Sequence, residues 1–136
     1  MVVEFCNTRD EQHGEAPFCK YSIMRVGDRF IPRHILFSRN WVTKTADTVD
    51  VALAAEELRF VEARHVPPEI VTAFEVAGVQ YGRIDYGLLR GRPQVWEINL
   101  NPVIVPQLAN IAPQRHAAQK LSASYVRDAF EALLTG

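Results

Sequence analysis

The chain has 136 residues, 48% of them hydrophobic and 23% charged, with a formal net charge of −1. These values are typical of a globular protein, so we expect one domain that spans residues 1–136. The balanced charge gives no sequence-independent hold on nucleic acid, and no apolar run approaches the roughly 20 residues that a membrane span requires. Composition therefore argues against nucleic acid and membrane as partners.

The amino terminus lacks the charged start and apolar stretch of a secretory signal. Cys6 and Cys19 lie thirteen residues apart, with no second pair to complete a zinc site. Either the two form one disulfide or both stay reduced. Without a signal sequence, reduced structural thiols in a cytoplasmic protein are the favoured interpretation.

The first third of the chain predicts strands. Val2 to Asn7 is a short apolar-rich segment that predicts a first strand, and the polar residues 7–15 predict a loop. Two longer strands follow, Phe18 to Val26 and Arg29 to Ser38. The Gly27-Asp28 pair between them suits a tight hairpin, because glycine tolerates a positive φ.

The middle of the chain predicts two helices. The polar stretch from Thr43 to Asp50 precedes apolar residues at helical spacing: Val51, Ala54, Ala55, Leu58 and Val61. Pro67-Pro68 ends this helix and opens another. Gly78 is the stop signal of the second helix, whose apolar stripe is Ile70, Val71, Phe74 and Ala77.

Two more strands, Gln80 to Leu89 and Pro93 to Leu100, flank Arg90-Gly91-Arg92. An amphipathic terminal helix follows, marked by Leu121, Tyr125, Val126, Ala129, Phe130 and Leu133. The tight hairpins favour antiparallel pairing. The predicted fold is therefore α+β, with an antiparallel β-sheet packed against helices.

The second hairpin carries a candidate site. If Gly91 is the middle of its loop, Asp85 lies opposite Glu97 and Arg83 lies opposite Asn99. Because side chains alternate along a strand, all four share one face, with directly opposite residues about 5 Å apart at Cβ. Two neighbouring carboxylates repel unless a cation compensates, and Mg²⁺ prefers such oxygen ligands.

From the pattern alone, a second interpretation stays open: Arg83 forms ordinary cross-strand salt bridges with Asp85 or Glu97 on a solvated sheet face. The opposite face of the hairpin is apolar enough to pack on helices, and its predicted members are Ile84, Tyr86, Leu88, Trp96 and Ile98.

The motifs Gly82-Arg83-Ile84-Asp85-Tyr86 and Glu97-Ile98-Asn99-Leu100-Asn101-Pro102 resemble the metal-binding signature of the ATP-grasp superfamily, in particular its glutathione synthetase-like and D-alanine–D-alanine ligase-like members. The resemblance implies that Asp85, Glu97 and Asn99 bind the Mg²⁺ ions that bridge ATP phosphates. It also implies that Arg83 lies beside the transferred phosphoryl group as a catalytic residue.

A looser resemblance extends from Val2 to Pro106. It implies that Glu4, near the end of a hinge strand, meets the ribose of ATP, and that Lys20 and Arg33 share one face of the first hairpin and neutralise phosphates. Each has a plain alternative, since a lone acid at a strand end and exposed strand charges are usually just solvated.

The resemblance implies part of a ligase that uses ATP and Mg²⁺ to join a carboxylate to an amine or thiol through an acyl-phosphate. It covers only the carboxyl-terminal half of an ATP-grasp domain, so we expect the lysine-bearing subdomain to come from a partner chain or a longer parent. The alternative is a non-catalytic remnant that acts as an oligomerisation or interaction module.

The remaining polar and aromatic side chains have simpler explanations. His34, His65 and His116 have no metal-ligand spacing and are interpreted as structural, and His13 as a solvated loop residue. Trp41 is interpreted as a core or loop anchor.

Overall fold

A computed structural model describes residues 6–136. Over these residues the fold is α+β, as predicted: one four-stranded antiparallel sheet with three α-helices. The strands are β1 (Phe18–Val26), β2 (Arg29–Ser38), β3 (Tyr81–Leu89) and β4 (Arg92–Asn99), in the spatial order β2-β1-β3-β4. The helices are α1 (Val51–Ala63), α2 (Pro68–Val76) and α3 (His116–Thr135). None of these helices is long and apolar enough to cross a membrane.

Both hairpins have two-residue turns. Val26 pairs with Arg29 across Gly27-Asp28, and the positive φ of 60° at Gly27 confirms the predicted role of the glycine. In the second hairpin Leu89 pairs with Arg92, and Arg90 and Gly91 both have positive φ. That turn is one residue shorter than the loop centred on Gly91 that the sequence predicts.

The predicted first strand falls mostly outside the described residues, and Cys6 and Asn7 have no regular secondary structure. Helix α1 begins after Asp50, whose carboxylate accepts the Leu53 N–H at 2.8 Å. Its buried residues are Ala54, Glu57 and Val61. Val51 is instead 77% exposed, so the predicted apolar stripe was partly wrong.

The sheet has a helix layer on each face. Helix α2 covers one face through a core cluster formed by Ile23, Ile70, Phe74, Ile84 and Tyr86, and α1 packs against this cluster through Phe60. Helix α3 packs on the other face through a second cluster formed by Met24, Val26, Ile31, Val126 and Ala129. Beyond this second cluster, the same face carries polar side chains and is open to solvent in two clefts.

Each outer strand of the sheet contains a β-bulge. Ser22 pairs with His34 while the next residue of β1 pairs with Pro32, so Arg33 has no partner in the ladder. In β4 the partner of Asp85 is Glu97, and the next pair is Tyr86 with Val95, so Trp96 is unpaired. A bulge places two adjacent residues opposite one, which interrupts the alternation of faces.

The bulge at Trp96 corrects the predicted apolar face. Its ring lies over Gly87, where a Cβ atom would be 2.5 Å from Trp96 Cζ2. Gly87 lies two residues from Asp85 and so shares its face. Trp96 therefore belongs to the polar side of the sheet, and Val95 takes the expected place against the α1–α2 core.

Candidate functional site

The four side chains of the predicted site lie in the predicted register. Asp85 pairs with Glu97 and Arg83 pairs with Asn99. The two-residue turn alone would offset these pairs by one position, and the bulge at Trp96 restores them. The prediction was correct for the pairing, although it assumed a longer loop and a regular strand.

Asp85 is the centre of the site and is only 1% exposed. Arg83 binds it through two N–H groups, with Nε 2.9 Å from Oδ1 and Nη2 3.1 Å from Oδ2. Lys20 Nζ lies 3.2 Å from Oδ2, and the Ser22 hydroxyl donates to Oδ1. Burial opposes ionisation, but the Ser22 hydrogen bond and the Arg83 and Lys20 charges outweigh it and lower the pKa of Asp85.

Ser22 connects Asp85 to His34. Its single hydroxyl hydrogen is donated to Asp85, so at its 2.8 Å contact with His34 Nε2 the hydroxyl must accept. His34 is therefore the tautomer with the proton on Nε2. Burial lowers the pKa of His34 well below its ordinary 6.5, more strongly than Asp85 raises it, so the ring is neutral.

Glu97 and Asn99 are more accessible than Asp85. Glu97 is exposed, and Asn99 Oδ1 accepts the Asn101 N–H at 2.8 Å, which leaves that oxygen a second lone pair. Among residues 6–136 no cluster of three or more His, Cys, Asp or Glu side chains could hold a metal. Two carboxylates and one amide still fit Mg²⁺, which usually takes only one or two carboxylates from a protein.

The first cleft has a volume of about 440 Å³ and opens over Asp85 and Glu97. Lys20 and Lys44 supply positive charge at its wall, so its charged lining is mixed in sign. Its aromatic lining is Trp96, which is 37% exposed, and Trp41, which is 62% exposed and does not lie in the core.

The second cleft has a volume of about 390 Å³ and is lined by Arg33, His34, Arg83 and Arg115. Arg33 is 6% exposed. It donates to Ser122 Oγ at 3.2 Å and to the backbone oxygens of residues 103 and 104 at 3.4 and 2.9 Å. Burial, reinforced by the Arg83 charge, lowers the pKa of Arg33 to about 10.

Arg115 reaches this cleft from the start of α3 and is held by Glu57 of α1. Two hydrogen bonds, of 2.8 and 2.7 Å, join its guanidinium to the Glu57 carboxylate, which is 1% exposed. Gln119 donates to the same carboxylate at 2.9 Å. This buried pair links α1 to α3 at the edge of the second cleft.

The structure brings most predicted site residues together and divides them between the clefts. Lys20, Asp85 and Glu97 line the first cleft, while Arg33 and Arg83 line the second. Lys20 reaches Asp85, and Arg33, at the bulge of β2, reaches Ser122 of α3. Asn99 lies opposite Arg83. Glu4 falls outside the described residues.

Sequence reasoning missed three members of the site: Ser22, Arg115 and the contact made by His34. The available signal was the presence of Ser22 and His34 inside two strongly apolar strands, because a buried polar group needs a partner. His13 was also wrongly assigned as solvated. It lies 3.0 Å from Glu56 Oε1 and packs against the Phe37 ring.

Comparisons of the chain with protein-family models, with curated proteins and with solved structures find no match. The geometry of the two clefts and the motif resemblance are therefore the basis on which a function can be assigned.

Proposed function

We propose that this chain supplies the metal- and phosphate-binding face of an ATP-grasp-type ligase that activates a carboxylate as an acyl-phosphate. The observation that carries the proposal is the pairing of Asp85 with Glu97 at the open first cleft, next to the pairing of Arg83 with Asn99 on the same two strands. Two acids, one amide and one guanidinium are thus neighbours on two paired strands, the arrangement that the motif resemblance implies.

The hydrogen bonds of Asp85 set a condition on metal binding. Both of its oxygens accept from Lys20 or Arg83, so the carboxylate becomes a metal ligand only when these cations move to another acceptor. Phosphate oxygens of a nucleotide bound beside Asp85 are suitable acceptors for both cations. When bound, Mg²⁺ would neutralise negative charge on the phosphates. Arg83 would then stabilise the phosphoryl group by electrostatics.

This coupling means that nucleotide and metal bind together. Without phosphate, Lys20 and Arg83 keep Asp85 occupied, so the chain should bind Mg²⁺ weakly on its own. With ATP present, Asp85, Glu97 and Asn99 all become available as ligands. A working ligase of this type would also need lysines from the other ATP-grasp subdomain, supplied by a partner chain or a longer parent. Its proposed location is the cytoplasm, where ATP is available.

The test is residue-resolved NMR of the ¹⁵N-labelled chain titrated with Mg²⁺, with ATP and with both. We expect the largest amide shifts at Lys20, Lys44 and Glu97, and only when both ligands are present. Glu97→Gln should abolish the Mg²⁺-dependent part of the response, and the matched control Glu62→Gln on α1 should retain it. Equal responses of the two variants, or shifts confined to other regions, would refute the proposal.

A second candidate function is a non-catalytic oligomerisation or interaction module. It is favoured by apolar side chains exposed after β4, namely Leu100, Val103 and Val105 at 63%, 67% and 72%. Contiguous exposed apolar surface often marks an interaction site. Light scattering after size exclusion tests it: Val105→Lys should reduce the mass of an oligomer, and Val51→Lys, at another exposed valine, should not. A monomer at all concentrations would exclude self-association.

A further inference from the structure

The second cleft is lined by cations without any acid. Three guanidiniums, those of Arg33, Arg83 and Arg115, border it, and among the described residues no Asp or Glu side chain lines it. The first cleft has two lysines and two carboxylates at its wall. The two clefts therefore differ in the ligand that their charges favour: the first suits a metal with phosphates, and the second suits a bare oxyanion.

Arg33 gives the strongest reason to expect an oxyanion. Arg83 is paired with Asp85 and Arg115 with Glu57. Arg33 is as buried as a core residue, yet its hydrogen bonds go to a hydroxyl and two backbone carbonyls. No carboxylate of the described residues lies within 4.0 Å of it. A buried charge without a counter-ion is costly, and an arriving anion would remove that cost.

The shape of the cleft indicates which oxyanion it takes. Beside the guanidiniums, apolar side chains of Leu36, Val103 and Ile111 line the same space, which has a volume of about 390 Å³. A free phosphate ion offers these apolar groups nothing to contact. An organic acid places its carboxylate on the guanidinium forks and its carbon chain against the apolar wall.

We propose that the second cleft binds a small organic acid through a carboxylate held by Arg33 and Arg83. As a substrate subsite, this rests on the proposed ligase function. Arg83 separates the cleft from Glu97, so the carboxylate anchored there is not the one that becomes phosphorylated. The substrate would then carry a second acid group, as a dicarboxylate or an acidic amino acid does.

Residue-resolved NMR can test the anchoring directly, without ATP. The probes are succinate and L-glutamate, with succinamide as a neutral analogue and inorganic phosphate as the competing oxyanion. We expect succinate or L-glutamate to shift the amides of Arg33, Leu36 and Ile111 at millimolar concentration. Succinamide should shift none of them, and phosphate should bind more weakly than the carboxylates.

Three variants locate the site. Val103→Trp places an indole in the cleft at a residue that is 67% exposed, so the fold should tolerate it. It should weaken binding by about tenfold or more, the loss expected when one charge-assisted contact is blocked. Val105→Trp is the matched control, since residue 105 is 72% exposed and does not line the cleft. Arg33→Lys should weaken binding similarly, provided that its spectrum shows a folded chain.

The proposal is overturned if no carboxylate shifts these amides, if succinamide or phosphate binds as tightly as succinate, or if both tryptophan variants bind alike. The same samples are then titrated with ATP and Mg²⁺. If carboxylates bind but ATP with Mg²⁺ shifts no amide, the proposed ligase function is refuted and the anion site is supported. If ATP with Mg²⁺ shifts the amides of Lys44 and Glu97 but no carboxylate binds, the anion site is refuted and the ligase function is supported.

Discussion

Arg83 and Asp85 form the wall between the two clefts. Their side chains share two hydrogen bonds, of 2.9 and 3.1 Å, with Asp85 facing the first cleft and Arg83 the second. An anion that draws Arg83 away from Asp85 frees a carboxylate oxygen on the other side. Binding of an anion in the second cleft and of Mg²⁺ at Asp85 is therefore expected to be cooperative, and by thermodynamic linkage each must raise the affinity for the other equally.

Removing the same negative charge from Asp85 and from Glu97 should have very different effects on stability. Asp85→Asn leaves Lys20 and Arg83 without their shared anion in a buried place, so we expect a loss of about 3 kcal/mol in the free energy of unfolding. Glu97→Gln, at an exposed position, should change it by less than about 0.5 kcal/mol. Urea denaturation measures both. Similar values for the two variants would contradict the central role of Asp85.

The stability of the native protein should fall as the pH drops below 6.5, because of His34. The pKa of this ring is lowered from 6.5 in the folded state. Between the two pKa values the unfolded chain binds a proton that the folded chain does not, so acid favours unfolding. His34→Gln keeps a donor for Ser22 but cannot titrate. In this variant the free energy of unfolding should depend less steeply on pH, by at most about 1.4 kcal/mol per pH unit. Urea denaturation of both proteins from pH 5 to 7 measures the difference.

The two cysteines should differ in reactivity. Burial, together with Glu56 and Asp10, raises the pKa of the Cys19 thiol to about 12, whereas Cys6 is only half-buried and lines the first cleft. Because the thiolate is the nucleophile, iodoacetamide at pH 8 should label one thiol in the native protein and two after denaturation. Mass spectrometry counts the labels.

Two further samples sharpen the labelling experiment. Cys6→Ser should remain unlabelled while folded. If a nucleotide occupies the first cleft, ATP with Mg²⁺ should slow the labelling of Cys6 in the native chain. Labelling of Cys19 in the folded variant would show that its environment is more open than the structure indicates.

A side chain at position 87 should displace Trp96. In Gly87→Ala the added methyl would lie 2.5 Å from Trp96 Cζ2 and 3.1 Å from a methyl of Thr8, and overpacking of this kind costs about 1–3 kcal/mol. We expect a change in tryptophan fluorescence and a lower denaturation midpoint. In a Trp96→Leu background Gly87→Ala should lower the free energy of unfolding by a smaller amount. If Gly87→Ala is equally destabilising in both backgrounds, the strain comes from Thr8 or from the backbone.

The strands of this fold were predictable because turns mark their ends. Gly27-Asp28 fixed the first hairpin, and both of its strands have the predicted bounds. That hairpin depends on a few residues whose backbone preferences are strong and local. The pairing of Asp85 with Glu97 was predicted correctly only because the shorter turn and the bulge at Trp96 offset each other.

The bulges and the buried polar contacts could not be obtained in this way. Trp96 was placed on the wrong face because the prediction assumed that side chains alternate strictly, and an unpaired residue in a bulge interrupts that alternation. Glu57 lies on the buried stripe of α1, where a search for apolar periodicity passes over it. Its reason for being there is Arg115, 58 positions along the chain, and only the folded structure brings the two together.

Positions 33 and 96 are points where the chain could change length by one residue without changing the ladder. Without Arg33, Ser22–His34 and the next pair would simply become consecutive in a regular strand, and the same holds for the pairs on either side of Trp96. Every other residue would keep its partner and its face. A shorter relative could therefore keep this architecture while lacking both the second cleft's Arg33 and the first cleft's Trp96. Differences in ligand preference among such chains would follow from single-residue gaps in their alignment.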